Sequence, residues 1–183
     1  MLQQIETERL FMRPYDITDI PAVQTLADDK AIAETTFIPY PYTVEKVEEW
    51  INSHSELIKN GDVYPLAVVL KNENQLIGTM TIRIDKVLNK GELAYWIGKD
   101  YWGKGFATET AKAMLAFGFN ELNLNRIWAP VMKKNIASAK VMQKIGLSYE
   151  GTLKEEVLRW GNYEDVAVYG ILKKDYVLLR ILN

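Results

Sequence analysis

At 183 residues the chain is long enough for one domain with a substantial core, and 48% hydrophobic with 25% charged residues is ordinary for a globular protein. A net charge of −2 leaves no footprint for nucleic acid, and no apolar run reaches the roughly 18 residues of a membrane span. Cysteine is absent and histidine occurs once, at His54, which excludes a disulfide framework, a zinc–thiolate site and a cysteine nucleophile.

Met1 to Glu6 lacks the basic and apolar regions of a signal peptide, so a cytoplasmic protein is expected. Leu10 to Arg13 reads as a first strand ended by Pro14. Asp16 or Thr18 caps a helix carrying Ile17, Ile20, Val23 and Leu26. Phe37 to Tyr42, rich in proline and aromatics, is a loop, and Thr43 is positioned to cap a helix from Val44 to Lys59. His54 falls in that helix among Trp50, Ile51, Leu57 and Ile58, and reads as a surface or partly packed residue. After the turn at Asn60-Gly61-Asp62, Leu66 to Leu70 is a buried type of strand. Asn72-Glu73-Asn74 then makes a hairpin turn into a strand from Gln75 to Ile84. Asn89-Lys90-Gly91 leads to the next strand, Glu92 to Ile97. Period two puts Glu92, Ala94 and Trp96 on one face and Leu93, Tyr95 and Ile97 on the other.

Tyr101-Trp102-Gly103-Lys104-Gly105-Phe106-Ala107-Thr108-Glu109 follows, and Ala107, Ala111, Met114, Leu115 and Phe119 then recur on one helical face. Strand, glycine turn and helix N-terminus together leave backbone N–H groups free at the positive end of a helix dipole, a phosphate-type anion site. The P-loop pattern is not met, because Lys104 is followed by Gly105 and no glycine stands at the upstream position. The dinucleotide pattern is not met either, since Thr108 occupies the place of the third glycine. Taken alone, the turn fits a plain strand-to-helix connection as well as a binding site.

Beyond the loop helix, Arg126 to Val131 is a strand. Asn135 caps a helix carrying Val141, Met142 and Ile145 that stops at Gly146. Two last strands, near Tyr149 and from Val166 to Leu172, flank a turn at Arg159-Trp160-Gly161-Asn162. There are no repeats or linkers, so residues 1–183 read as a single α+β domain with a mixed, mostly antiparallel sheet flanked by about four helices.

Trp102-Gly103-Lys104-Gly105-Phe106-Ala107 resembles motif A of the GNAT N-acetyltransferase superfamily, Gln/Arg-x-x-Gly-x-Gly/Ala, with Trp102 departing at the first position. Thr7-Glu8-Arg9-Leu10 with Arg13-Pro14, Asn135-Ile136-Ala137-Ser138 with Lys144-Ile145-Gly146-Leu147, and Gly151-Thr152-Leu153 are similar in order to its ribosomal-protein N-terminal acetyltransferase branch. The resemblance implies acetyl-CoA as donor, a primary amine as acceptor, no metal, and no nucleic-acid or membrane partner. A protein N-terminus, polyamine, amino acid or aminoglycoside would each serve as the amine. Dimers are frequent in the family, so a homodimer is an expectation too.

On that resemblance the pyrophosphate sits on backbone N–H groups of Gly103, Lys104, Gly105, Phe106, Ala107 and Thr108, next to Trp102, with charge added by Lys104, Lys133, Lys134 or Lys140. A bulge in the strand carrying Trp96-Ile97-Gly98 is implied to open its edge, so that pantetheine pairs there as an added strand. An N–H of the same edge stabilises the charge developing on the thioester oxygen. Asn135 would contact pantetheine and Ser138 would protonate the leaving thiolate. Plain capping is the alternative, and it accounts for Asn135 better than for Ser138. A tyrosine acid is found one turn later in other branches, where this chain has Met142. Amines are mostly protonated at neutral pH, so a carboxylate base is needed, and Glu92 is the first candidate, with Glu155 and Glu156 behind it. The loop between the first two helices lines the acceptor site, packs as core, or does both. The rival readings are an acyl-CoA-binding sensor without turnover and a nucleotide-binding protein using Gly103 to Ala107.

With no cysteine, and His54 remote in sequence from the loop, direct transfer between two bound substrates is expected. Labelled acetyl-CoA incubated with the protein in the absence of an amine should leave no label on the denatured chain. A stoichiometric, kinetically competent acetyl adduct by mass spectrometry is the opposing outcome.

Overall fold

The computed structural model describes residues 4–182; Met1–Gln3, part of the stretch read for a leader, and Asn183 lie outside the described residues. In chain order come β1 (Ile5–Glu6), β2 (Leu10–Pro14), α1 (Ile20–Ala27), α2 (Lys30–Ala33), α3 (Val44–Asn60), β3 (Val63–Leu70), β4 (Gln75–Asp85) and β5 (Lys90–Ile97). Then follow α4 (Phe106–Ala116), β6 (Arg126–Met132), α5 (Ile136–Lys144), β7 (Ser148–Arg159), β8 (Asn162–Leu172) and α6 (Lys173–Leu182). The strands make one sheet in the order β1-β2-β3-β4-β5-β6-β8-β7. Every neighbouring pair is antiparallel except β5 and β6. This is the expected α+β fold with a mixed sheet. β1, α2 and α6 are additions to the predicted elements, and α6 carries no turn signal because it begins directly where β8 ends.

Local chemistry explains most boundaries. Asp16, not Thr18, is the cap, and it caps the 3-10 turn Ile17–Asp19 that leads into α1: its carboxylate accepts from the Thr18 N–H at 2.9 Å, and Asp19 accepts from the Asp16 N–H at 2.8 Å. Thr43 stands at the N-cap of α3, but its side chain makes no capping bond, so that expectation fails. The predicted strand Gln75 to Ile84 breaks alternation between Ile77 and Met80. The cause is a bulge: Val68 pairs with Gly78 and Val69 with Leu76, leaving Ile77 extra and returning it to the core face of Met80 and Ile82.

Two apolar layers cover the two sheet faces. One joins Leu93, Ile97, Phe106, Ala111, Met114, Leu115 and Met142 under α4 and α5. The other joins Val23, Ile32, Val47, Ile51, Val69 and Trp96 under α1 and α3. His54 belongs to the second layer, which corrects its reading as a surface or partly packed residue: it is 3% exposed, 4.3 Å from the Trp50 ring and 5.4 Å from the Tyr15 ring. Val47, Ile51 and His54 are the buried positions of α3 and recur at helical spacing, so the histidine lies on the stripe that faces the sheet.

Neither His54 ring nitrogen has a protein partner, and burial pushes its pKa down from 6.5 to about 4. The unfolded chain therefore takes up a proton near pH 6.5 that the folded chain refuses until about pH 4. Stability linked to His54 is complete above pH 6.5 and is lost as pH falls through that window. His54→Leu should keep the fold at pH 7. Between pH 7 and pH 4.5 it should lose about 2–3 kcal/mol less than the parent. Chemical denaturation at both pH values checks this, and parallel losses would contradict it.

Candidate active site

The site begins where β5 and β6 part. They pair only at Lys90–Arg126, Gly91–Ile127 and Glu92–Trp128, although β5 runs on to Ile97 and β6 to Met132. The cause differs from the expected bulge, since β5 keeps unbroken register with β4 from Lys90 to Ile97. Each strand instead follows its other neighbour, β4 or β8, and the sheet opens between them. The Gly98 N–H donates to Ile77 O at 2.8 Å on the β4 side. Alternation therefore turns the N–H and C=O groups of Tyr95 and Ile97 toward the gap. The Ile97 carbonyl is already used: the Trp102 indole N–H donates to it at 2.6 Å.

The glycine loop sits at the open end. Gly103 and Gly105 have φ of 75° and 83°, the left-handed region that suits glycine, and Gly105 is the N-cap of α4. The first helical bond runs from the Glu109 N–H to Gly105 O at 3.0 Å, so the N–H groups of Phe106, Ala107 and Thr108 have no intrahelical acceptor. A side chain at Gly103 would meet nothing within 4 Å, and one at Gly105 would meet only the Arg9 guanidinium at 3.4 Å. An anion can thus reach the backbone unobstructed. The Phe106 side chain is buried in the α4 layer, which leaves only its backbone for a ligand.

One carboxylate holds this loop in place. Glu109 Oε1 accepts from the Thr7 hydroxyl at 2.6 Å and the Arg9 N–H at 2.9 Å, while Oε2 accepts from Arg9 Nε at 2.7 Å. Arg9 also donates to Lys104 O at 3.0 Å and lies 4.5 Å over the Phe106 ring. Burial pushes the Glu109 carboxyl up, but the Thr7 hydroxyl, the Arg9 N–H and the Arg9 guanidinium outweigh it, so its pKa is lowered. Two clefts flank the loop. One of about 460 Å³ is lined by Arg9, Tyr101, Lys104 and Phe106, and one of about 520 Å³ by Arg9, Gly105, Thr108, Lys112 and Lys144. Sequence reasoning missed Arg9, Lys112 and Lys144 as loop cations. Lys134 is bound to Glu164 at 2.6 Å, and Lys104 Nζ lies 5.3 Å over the Tyr101 ring.

At the gap itself, Asn135 Oδ1 accepts from the Ser138 N–H at 3.0 Å and caps α5. The Ser138 hydroxyl takes no part in that cap; it accepts a hydrogen bond from the Tyr95 hydroxyl at 3.0 Å. Met142 is 1% exposed in the core. Trp96 and Ile97 bury their side chains in opposite layers, so only their backbone faces a ligand. Glu92 is not brought to Ser138. It lies at the closed end of the gap, on the other face of β5, paired across the strands with Arg83 at 2.9 Å. Glu155 and Glu156 are exposed in an irregular part of β7.

On the α1–α3 side, Arg159 of the β7–β8 hairpin donates to Ala33 O at 2.9 Å and to Ile38 O at 2.6 Å. The Trp160 ring lies 6.5 Å from the Tyr40 ring. Tyr42 is buried while Phe37 and Tyr40 are exposed, so the proline-rich loop both packs and presents a surface.

An opened parallel pair, a bare glycine loop at a helix N-terminus and a hydroxyl at the gap define a CoA-type acyltransferase architecture. The family model described as acetyltransferase (GNAT) domain matches residues 9–148, and the chain belongs to that family of acetyl-CoA-dependent N-acetyltransferases. It is 31% identical to the N-acetyltransferase YnaD of Bacillus subtilis, over 94% of this chain and 98% of that protein. It is also similar to the spermidine N-acetyltransferase from Vibrio cholerae solved in complex with CoA and spermine. There the TM-score is 0.81 at 26% identity, over 93% of this chain and 99% of the other. Ribosomal-protein-S5-alanine acetyltransferase from Vibrio fischeri shares the fold, with a TM-score of 0.84 at 24% identity over 95% and 98% of the two chains.

Gly105→Val, the obvious probe of the loop, would strain a left-handed residue whatever binds there. Glu109→Ala is cleaner, because it removes the carboxylate that ties α4 to Thr7 and Arg9 without touching a glycine. CoA affinity by calorimetry should fall about tenfold, or roughly 1.4 kcal/mol. Unchanged affinity would remove the clamp from the account of the site.

Proposed function

We propose that the chain transfers an acetyl group from acetyl-CoA directly to a primary amine, either a protein N-terminus or a small-molecule amine. The observation that carries this reading is the gap between β5 and β6, with the bare glycine loop at its open end and Ser138 bonded to Tyr95 of its β5 edge. The similar proteins are named for acceptors as different as spermidine and a ribosomal protein, and what these share is an amine.

The residue roles follow from placement. Backbone N–H groups of Gly103 to Thr108 hold the pyrophosphate, with Arg9, Lys112 and Lys144 adding charge. The gap-facing backbone of Tyr95 and Ile97 pairs with the pantetheine arm and offers an N–H to the thioester oxygen. Trp102 narrows that edge by occupying the Ile97 carbonyl. Asn135 fixes the start of α5, and Ser138 gives a proton to the departing sulfur. Acetyl-CoA supplies an activated acyl group. Glu92, on the α1–α3 face of β5, takes a proton from the incoming amine through water, exchanging its Arg83 partner to do so.

Ser138→Ala should lower kcat by roughly tenfold or more while KM for acetyl-CoA moves little, because the cap comes from Asn135 and survives. Steady-state kinetics with an amine found by mass-spectrometric screening gives the answer. A normal kcat would leave thiolate protonation to water. CoA binding with no transfer to any amine would instead mark the chain as an acyl-CoA sensor.

A further inference from the structure

Resting on the reading above, we propose that Tyr95 is a positioning residue that aims the Ser138 hydroxyl at the departing sulfur, making the proton donor a two-residue unit spanning the gap. A serine hydroxyl rotates freely and carries one proton and two lone pairs. The Ser138 backbone N–H is already fixed by Asn135 at 3.0 Å, so the residue's place is set, but this bond does nothing to its hydroxyl rotor. The Tyr95 hydroxyl donates to Ser138 Oγ at 3.0 Å and fills one lone pair. That leaves the Ser138 proton to point away from Tyr95. The opening between β5 and β6 lies beside this pair, because Tyr95 is three residues past the last paired position, Glu92.

The pair also answers a question of chemistry. The position one turn beyond Ser138 is Met142, sealed in the α4–α5 layer, so α5 offers no phenol there. Tyr95 supplies one from the strand instead, and as a donor to Ser138 rather than to sulfur. Burial raises the Tyr95 pKa, so the phenol keeps its proton and remains a donor. The balance closes without it. As the C–N bond forms, the amine nitrogen loses a proton. As the C–S bond breaks, sulfur leaves with the electron pair and takes the Ser138 proton, and Ser138 is reprotonated through water from the amine side.

Packing gives no reason for the hydroxyl. The Tyr95 ring lies against the α4-side layer, where phenylalanine would fill the same space. Tyr95→Phe therefore removes the bond to Ser138 and keeps the packing.

The test is a double-mutant cycle of Tyr95→Phe and Ser138→Ala, with two readouts on folded protein. The first is kcat with a transferable amine. Tyr95→Phe should lower it about two- to tenfold, the span of one net hydrogen bond, with KM for acetyl-CoA unchanged. In the Ser138→Ala background the same change should have no further effect. The second readout needs no acceptor: ionisation of the thiol of bound CoA, followed by ultraviolet absorbance of the thiolate. An aimed donor stabilises the bound thiolate, so each single variant should raise the thiol pKa by about half to one unit, and the double variant no more than Ser138→Ala alone. Tyr95→Phe that changes neither readout overturns the proposal. An equal loss in both backgrounds also overturns it, because that is a structural role acting outside Ser138. If the parent binds CoA but acetylates no amine, the transferase reading fails by itself, and the thiol readout still decides whether Tyr95 aims Ser138.

Discussion

The molecule depends on a sheet that is not completed. β5 is committed to β4 along its whole length and β6 to β8 along its own, and after three shared pairs the two parallel strands separate. Sheet twist accumulates across strands, and a pair with strong outer partners has little to hold it together once the twist opens it. Buried backbone groups need partners, so an opened edge demands substitutes. One side chain provides such a substitute here, the Trp102 indole on the Ile97 carbonyl, while the Tyr95–Ser138 bond bridges strand and helix beside the opening. The remaining edge is free to receive an extended ligand.

The second constraint is the Glu109 carboxylate. Its partners Thr7 and Arg9 stand about a hundred positions earlier in the chain. Closing such a separation costs chain entropy, which grows only slowly with length. In return, the first turn of α4 is tied to the start of β2, and the guanidinium reaches back to the Lys104 carbonyl. The left-handed glycines give the loop its shape, and this contact gives it a fixed position relative to the sheet. The same Arg9 lines both clefts beside the loop, so one side chain is both support and surface charge.

The two faces of the sheet have different characters. Under α4 and α5 the layer is built mainly of aliphatic, methionine and aromatic side chains and carries the helices that hold the loop and Ser138. Under α1 and α3 it mixes Trp50, Trp96 and Tyr15 with buried polar groups at His54, Thr79 and Thr81. The Tyr15 hydroxyl bonds Thr79, whereas His54 stays neutral among rings. Arg159 then straps the far hairpin to the carbonyls of Ala33 and Ile38, closing the α1–α3 side over the sheet.

The sequence by itself determined the order of the main elements, the glycine turn and the caps at Asp16 and Asn135, because these rest on neighbours a few residues apart. Asp16 and Asn135 cap as their types require, and Gly146 ends α5. The family motifs named the loop and Ser138 for the same reason. Tertiary structure alone decided what those local pieces meet. It opened β5 from β6 without a bulge in β5, buried His54 and left its ring nitrogens without a protein partner, and set Glu92 against Arg83. It also joined Thr7-Glu8-Arg9 to Glu109 and Tyr95 to Ser138. Those pairs are separated by many turns and strands, and no spacing rule connects residues whose only relation is where the folded sheet carries them.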